Sequence, residues 1–292
     1  MKKIFFTFII TIIITCSAVS DKKAFSLFDN NGNSVTYNDL LKEAQSADII
    51  LFGEMHDNPI CHWLQLELTT DLFKIKGNDL IMGAEMFETD NQLLLDEYTS
   101  EKIKESSFEA EAKLWKNYKT DYKPLVNFAR KNKLKFIGTN VPRRYASLVS
   151  KGGFEILETL DKEAKSLIAP LPIKYNPELN CYASMTKMGG NSMKDTSHVN
   201  QNLPKAQALK DATMAYSIVE NLKNHQLFIH FNGTYHSDDF ESMVWYLKEM
   251  KSKLKIITIA SIEQDDISNL EKENINKANF ILCTPANMTK TY

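Results

Sequence analysis

The sequence predicts an α/β protein: a mostly parallel sheet flanked by helices, with a smaller helical cap and a long inserted loop. Two observations carry this. Six apolar runs (Ala47–Glu54, Leu80–Phe87, Lys135–Val141, Leu227–Gly233, Lys255–Ile262 and Phe280–Thr284) are mostly continuous rather than alternating, as strands covered on both faces read. Helix-like segments lie between them, the alternation that builds a parallel sheet from βαβ units.

The N-terminus precedes that pattern. Lys2 and Lys3 are followed by the apolar run Ile4 to Ile14, interrupted by Thr7 and Thr11. This has the length of a signal-peptide core and is short for a membrane span. Cys16 follows at once, so residues 1–15 read as a signal peptide cleaved before a lipidated Cys16. Thr15 is bulkier than the small residue usual before such a cysteine, and Ala18-Val19-Ser20 offers ordinary cleavage instead. The expected destination is export, with a lipid anchor in a bacterial (outer) membrane, or else the periplasm.

Residues 21–87 and 134–292 are expected to form the α/β domain. Its clearest helix start follows the first main strand, with Asn58 as N-cap and Pro59 at the first helical position. Ile60, Trp63, Leu64, Leu68, Leu72 and Phe73 then make one apolar face. Residues 88–133 read as the helical cap, with an aromatic group of Trp115, Tyr118 and Tyr122. Residues 169–203, rich in Pro, Asn, Gly and Met, read as the long loop joining it.

Composition narrows the chemistry. The 292 residues carry 35 Lys and Arg against 37 Asp and Glu, and without Lys2 and Lys3 the balance is −4. With no Lys/Arg-rich stripe along the chain, this argues against a nucleic-acid partner. Beyond Cys16 only Cys61, Cys181 and Cys283 remain, without CxxC spacing, so neither a disulfide scaffold nor a thiolate zinc site is indicated.

Ligands of parallel α/β sheets bind beyond the carboxyl ends of the strands. Four groups are predicted there: Gly53-Glu54-Met55-His56, Glu85, the stretch "GTNVPRR" at 138–144, and Gly233-Thr234-Tyr235-His236. Glu54, His56, Glu85 and His236 can therefore converge while far apart in sequence. Two carboxylates with two imidazoles suit either a divalent metal or acid–base activation of water. Glu85 has the plainer alternative of pairing with Arg143.

The stretches "GEMHDNPICHWLQ" (53–65), "GAEMF" (83–87), "TNVPRRY" (139–145), "QALKDATMAYSI" (207–218) and "NGTYH" (232–236) resemble the ChaN group of haem-binding lipoproteins. That group shares a superfamily with the erythromycin esterases and the Tiki and TraB proteins. The resemblance runs in order from about residue 47 to 240, and departs after His236 at "SDDFESMVWYL". It implies a haem-binding protein of iron acquisition, acting as a homodimer, possessing a tyrosine ligand to the haem iron and an outer-membrane haem receptor as a partner. Tyr145 is the first candidate ligand, because positive charge on Arg143 and Arg144 favours a phenolate; Tyr182 is the second. Arg144, Lys187, His198 and Lys151 are candidates for the propionates, and Met185, Met188 and Met193 for an apolar porphyrin slot. The competing reading is a Glu/His-dependent hydrolase, an esterase or a protease, built on Glu54, His56, Glu85 and His236.

Overall fold

The structure, a computed structural model, describes residues 22–188 and 200–292. In chain order the elements are β1 (Ser26–Asp29), β2 (Ser34–Val35), α1 (Tyr37–Ala44), β3 (Ile49–Glu54), α2 (Pro59–Lys76), β4 (Leu80–Glu88), α3 (Gln92–Thr99), α4 (Glu105–Glu111) and α5 (Lys123–Asn132). They continue as β5 (Phe136–Asn140), α6 (Arg143–Gly152), α7 (Lys162–Lys165), α8 (Asn180–Met188), α9 (Leu203–Asn221), β6 (Leu227–Gly233), α10 (Met243–Met250), β7 (Ile256–Gln264) and β8 (Phe280–Pro285).

Eight strands form one sheet in the order β2-β1-β8-β7-β3-β6-β4-β5. The six strands predicted from the apolar runs are all present and mutually parallel, while β1 and β2 add an antiparallel margin. Those two are short and were not predicted. Burial explains the continuous apolar runs: Ile50 and Phe52 of β3 enter one hydrophobic cluster, Ile49 and Leu51 the other. Alternate side chains leave opposite faces of a strand, and here both faces are covered.

Helices α2, α3 and α5 cover one face; α6, α9 and α10 cover the other. The segment 88–133 folds into α3, α4, a π-turn at Tyr118–Tyr122 and α5. Its Tyr98, Phe108, Tyr118 and Tyr122 are buried in the same cluster as β4, so it adds to the main core rather than building its own. Trp115 and Tyr122 pack edge to face at 5.6 Å. Within 169–203, where a long loop was expected, α8 forms and Tyr182 is fully buried. Cys61, Cys181 and Cys283 are separate free thiols. Among the described residues no helix is long and apolar enough to cross a membrane.

Helix α2 starts as predicted: Asn58 Oδ1 accepts from the Ile60 and Cys61 amides and Pro59 occupies the first turn. Its buried face differs from the prediction. Trp63 is 47% exposed, tilted against Phe25, while His62, Gln65 and Thr69 point inward beside Leu64, Leu68 and Leu72. Glu54, buried at the end of β3, is the reason: a buried carboxylate must find donors, and α2 turns toward it the polar side chains that supply them.

At the free edge of the sheet, Gln92 takes the place of a ninth strand. Its Oε1 accepts from the Gly138 amide at 2.8 Å and its Nε2 donates to the Phe136 carbonyl at 3.0 Å.

Candidate functional site

The carboxyl ends of β3, β4 and β6 bring together the four residues predicted to converge. Glu54, Glu85 and His236 are buried at 2%, 6% and 5% exposure, whereas the His56 side chain keeps 37%. Gly233 is what allows His56 this position. A Cβ there would meet the His56 ring at 2.9 Å and lie 3.5 Å from Glu85 Oε2, so any larger residue would push the imidazole out. Gly53 is equally constrained, because a Cβ would meet Ile259 O and Thr234 Cα at 2.8 Å.

Two carboxylate–imidazole pairs flank Glu85. In the first, His56 Nδ1 lies 2.9 Å from Glu54 Oε1. Gln65 Nε2 donates to Glu54 Oε2 at 2.5 Å, and the Tyr122 hydroxyl donates to Oε1. His62 stands 3.8 Å from the same carboxylate, with its ring nitrogens facing Gln65 Oε1 and the His56 carbonyl. Asn117 Nδ2 also donates to that carbonyl at 2.7 Å. The His56 ring meets Trp115 edge to face at 4.7 Å.

In the second pair, His236 Nδ1 lies 2.5 Å from Asp211 Oδ1 and Nε2 lies 3.2 Å from Glu85 Oε1. The Tyr182 hydroxyl donates to Asp211 Oδ2 at 2.7 Å, and Gln207 Nε2 sits 3.2 Å from His236 Nε2. Glu85 Oε2 accepts from the Gly233 amide at 2.8 Å, while the Asn140 side chain donates to the Glu85 carbonyl.

Charge follows this wiring. Burial alone would raise Glu85, but His236, His56 and the Gly233 amide outweigh it and hold the carboxyl far below the usual range. Burial likewise opposes ionisation of Glu54, and His62, His56 and Gln65 reverse that. Burial would lower His236; Glu85 and Asp211 prevail and push it up to about 10, so it is an imidazolium at neutral pH. His56 is raised in the same way, against burial, by Glu54 and Glu85. Burial raises the Asp211 carboxyl, against the opposing pull of His236 and of the hydrogen bonds it accepts from His236 and Tyr182. His230, inside β6 and bonded to Thr139 and Asn232, is lowered by burial to about 4 and is neutral.

The other predicted residues lie elsewhere. Tyr145, on α6, is 7% exposed, with the Arg144 guanidinium 4.5 Å above its ring. Arg144 also pairs with Asp90 at 2.5 Å, and Arg143 is exposed; neither Arg143 nor Arg144 pairs with Glu85. A groove of about 560 Å³ runs past Arg143, Arg144, Lys113 and Trp115. Tyr182, taken from sequence as a ligand candidate, is wholly buried with its hydroxyl on Asp211. Lys151 is exposed in the last turn of α6. Cys16, Met193, His198 and the side chains of Lys187 and Met188 lie outside the described residues. As for a metal, no group of three or more His, Cys, Asp or Glu among the described residues is arranged to hold one.

Asp211, Gln65, His62 and Tyr122 were missed from sequence. Asp211 and Gln65 each lie inside a quoted stretch, "QALKDATMAYSI" and "GEMHDNPICHWLQ", and a polar residue within an apolar helical pattern was the signal available.

A sequence profile for the family described as haem-binding uptake, Tiki superfamily, ChaN matches residues 40–247. No curated protein sequence matches the chain. Among solved structures, the chain is similar to ChaN of Campylobacter jejuni, described with cofacial haem binding, at 19% identity and a TM-score of 0.68, covering 90% of this chain and 97% of that one. It is also similar to an erythromycin esterase, EreC, in its open conformation (10% identity, TM-score 0.51, covering 89% and 97%). A succinoglycan biosynthesis protein gives 11% identity and a TM-score of 0.51, covering 90% and 94%. These likenesses establish a shared fold, and the profile, matched over more than half the length, establishes the family: the chain belongs to the ChaN family of haem-binding uptake proteins.

Proposed function

We propose that this protein binds haem in the service of iron uptake, as an exported, lipid-anchored homodimer that receives haem from an outer-membrane partner. The family match over residues 40–247 carries this reading. Residues suited to the group are present. An apolar groove of about 310 Å³ is lined by Pro170, Pro172, Ile173, Ala212, Tyr216 and Tyr246, with Lys174 at its side, paired with Glu249 at 3.0 Å. A porphyrin asks for an apolar slot, an anionic oxygen on iron and cations for its propionates.

Two tyrosines compete for the iron. Tyr145 has cationic neighbours, Arg143 and Arg144, and needs Arg144 to move aside. The half-buried Tyr216 stands in the apolar groove. Haem titration followed by absorption spectroscopy separates them: Tyr145→Phe abolishes the tyrosinate spectrum if Tyr145 is the ligand, and Tyr216→Phe does so if the apolar groove is the site. His56→Ala leaves the spectrum intact in either case. Loss of haem binding in a folded His56→Ala protein would move the haem to the cleft and defeat both assignments.

A second reading rests on the two carboxylate–imidazole pairs around Glu85. His56, fixed by Glu54 and partly open to solvent, is placed to take a proton from water, while the His236 imidazolium offers a positive charge to a developing oxyanion. This is the equipment of an ester or amide hydrolase. Because His56 is raised, such activity increases as pH climbs through its raised value. Glu85→Gln, which removes the charge that holds His236 and raises both imidazoles, reduces any ester cleavage by two or more orders of magnitude; full activity in that variant excludes the cleft.

A further inference from the structure

Folding collects on one edge of the sheet a charge pattern that no single stretch displays. Strands β3, β4, β5, β6 and β7 are mutually parallel and all begin on that edge. The pentapeptide Lys-x-Lys-Leu-Lys leads into two of them, at Lys131–Lys135 before β5 and at Lys251–Lys255 before β7. Lys223 and His225 precede β6, which lies between them. Four strand spacings separate β7 from β5, about 19 Å.

Two grooves open along this edge. One, of about 600 Å³, carries Lys102, Arg130, Lys131, Lys133 and Lys135 against Asp96 and Glu101. The other, of about 630 Å³, carries Lys223, Lys251 and Lys253 against Asp48. Arg130 pairs with Glu101 and Lys255 with Glu43, but among the described residues Lys131, Lys133, Lys135, Lys223, Lys251 and Lys253 form no ion pair. A lysine in a last helical turn complements the helix dipole, which accounts for Lys131. Lys133, Lys135 and Lys253 lie beyond their helices and have no such employment. At the opposite edge the acids Glu54, Glu85 and Asp211 are buried and paired with His56 and His236.

We propose that the lysine edge docks on an anionic lipid bilayer, with headgroup phosphates as its ligands, so that the carboxyl-end cleft faces away from the membrane. Its breadth suits a sheet of phosphates better than one small anion. Neither groove is lined by Phe, Tyr or Trp, which stacking on nucleic-acid bases would use, and Met250, 37% exposed beside Lys251, is an apolar contact suited to the headgroup layer. Each lysine at such a surface adds roughly fivefold to binding.

The test is sedimentation of the mature chain, residues 16–292 carrying Cys16→Ser to block lipidation, with vesicles of phosphatidylcholine alone or with one third phosphatidylglycerol. The expected result is binding at least tenfold tighter to the anionic vesicles, abolished at 0.5 M salt. Lys131→Gln/Lys133→Gln/Lys251→Gln/Lys253→Gln weakens it by roughly several hundredfold, whereas Lys290→Gln, at the opposite edge, leaves it unchanged. Circular dichroism confirms that the variants are folded. Equal binding to both vesicle types, or an unaffected quadruple variant, overturns the proposal. So does competition by millimolar inorganic phosphate, which would mean a small-anion site, and so does tighter retention by single-stranded DNA than by anionic vesicles, which would mean a nucleic-acid surface.

Discussion

The two histidines of the cleft are wired alike and buried unlike. His56 and His236 each close a Gly-x-x-His turn at a strand end, and each is held through Nδ1 by a buried carboxylate. His236 is sealed between Asp211 and Glu85, whereas His56 keeps over a third of its surface open beside Trp115. The same local sequence thus gives one imidazole locked between two carboxylates and one that keeps a face open to solvent. What separates them is the second carboxylate contact, which only His236 makes at hydrogen-bonding distance.

The largest test of this contrast is Asp211→Ala. It strips a buried charge network of one member, leaving the Tyr182 hydroxyl without its acceptor and His236 with Glu85 alone, at a cost of about 3–5 kcal/mol in denaturant unfolding. His56→Ala, at a half-open position, costs about 1 kcal/mol or less. Equal losses would show that the two pairs are structurally equivalent.

The next test is pH. The folded value of His236 is raised to about 10 from an ordinary 6.5, so its contribution is complete below pH 6.5 and disappears as pH rises toward 10. Glu54 and Glu85 are lowered in the fold, so theirs is present above about pH 4.5 and lost as pH falls below it. Stability is therefore expected to be greatest between about pH 5 and 6.5. His236→Gln removes the larger part of the alkaline decline, leaving the share of His56, and reduces the acid one through Glu85; an undiminished alkaline decline in that variant would assign it to another group. Well below Asp211→Ala comes Tyr182→Phe, which deletes one buried hydrogen bond to Asp211 and costs about 1–1.5 kcal/mol. A cost near zero would mean that His236 alone satisfies Asp211.

Much of this was legible in the sequence for a definite reason. Strands buried on both faces leave continuous apolar runs, and polar groups placed immediately after such runs have few reasons to be there. Glu54, His56, Glu85 and His236 were found on that ground. Their partners were not, because they sit on helices. Asp211 lies within α9, among alanines and a methionine that point to core; that apolar setting is its only local signal, and it does not name His236 as the partner. On α2, hydrophobicity alone put Trp63 inside and left His62 and Gln65 out; the needs of a carboxylate eight to eleven residues earlier decided otherwise. The basic edge was invisible because its lysines are contributed by separate strand starts and become neighbours only when the strands align. Tyr182 was singled out as an aromatic in a loop, and became instead a support for Asp211 in a helix.

The glutamine at the sheet margin has a consequence for assembly. By occupying the Gly138 amide and the Phe136 carbonyl, Gln92 removes the free rungs on which another chain's strand would settle. The far margin, β2, offers only two residues. Among the described residues, both ends of the sheet are thus poor templates for strand addition, which leaves helical and loop surfaces as the better places for copies of this molecule to meet.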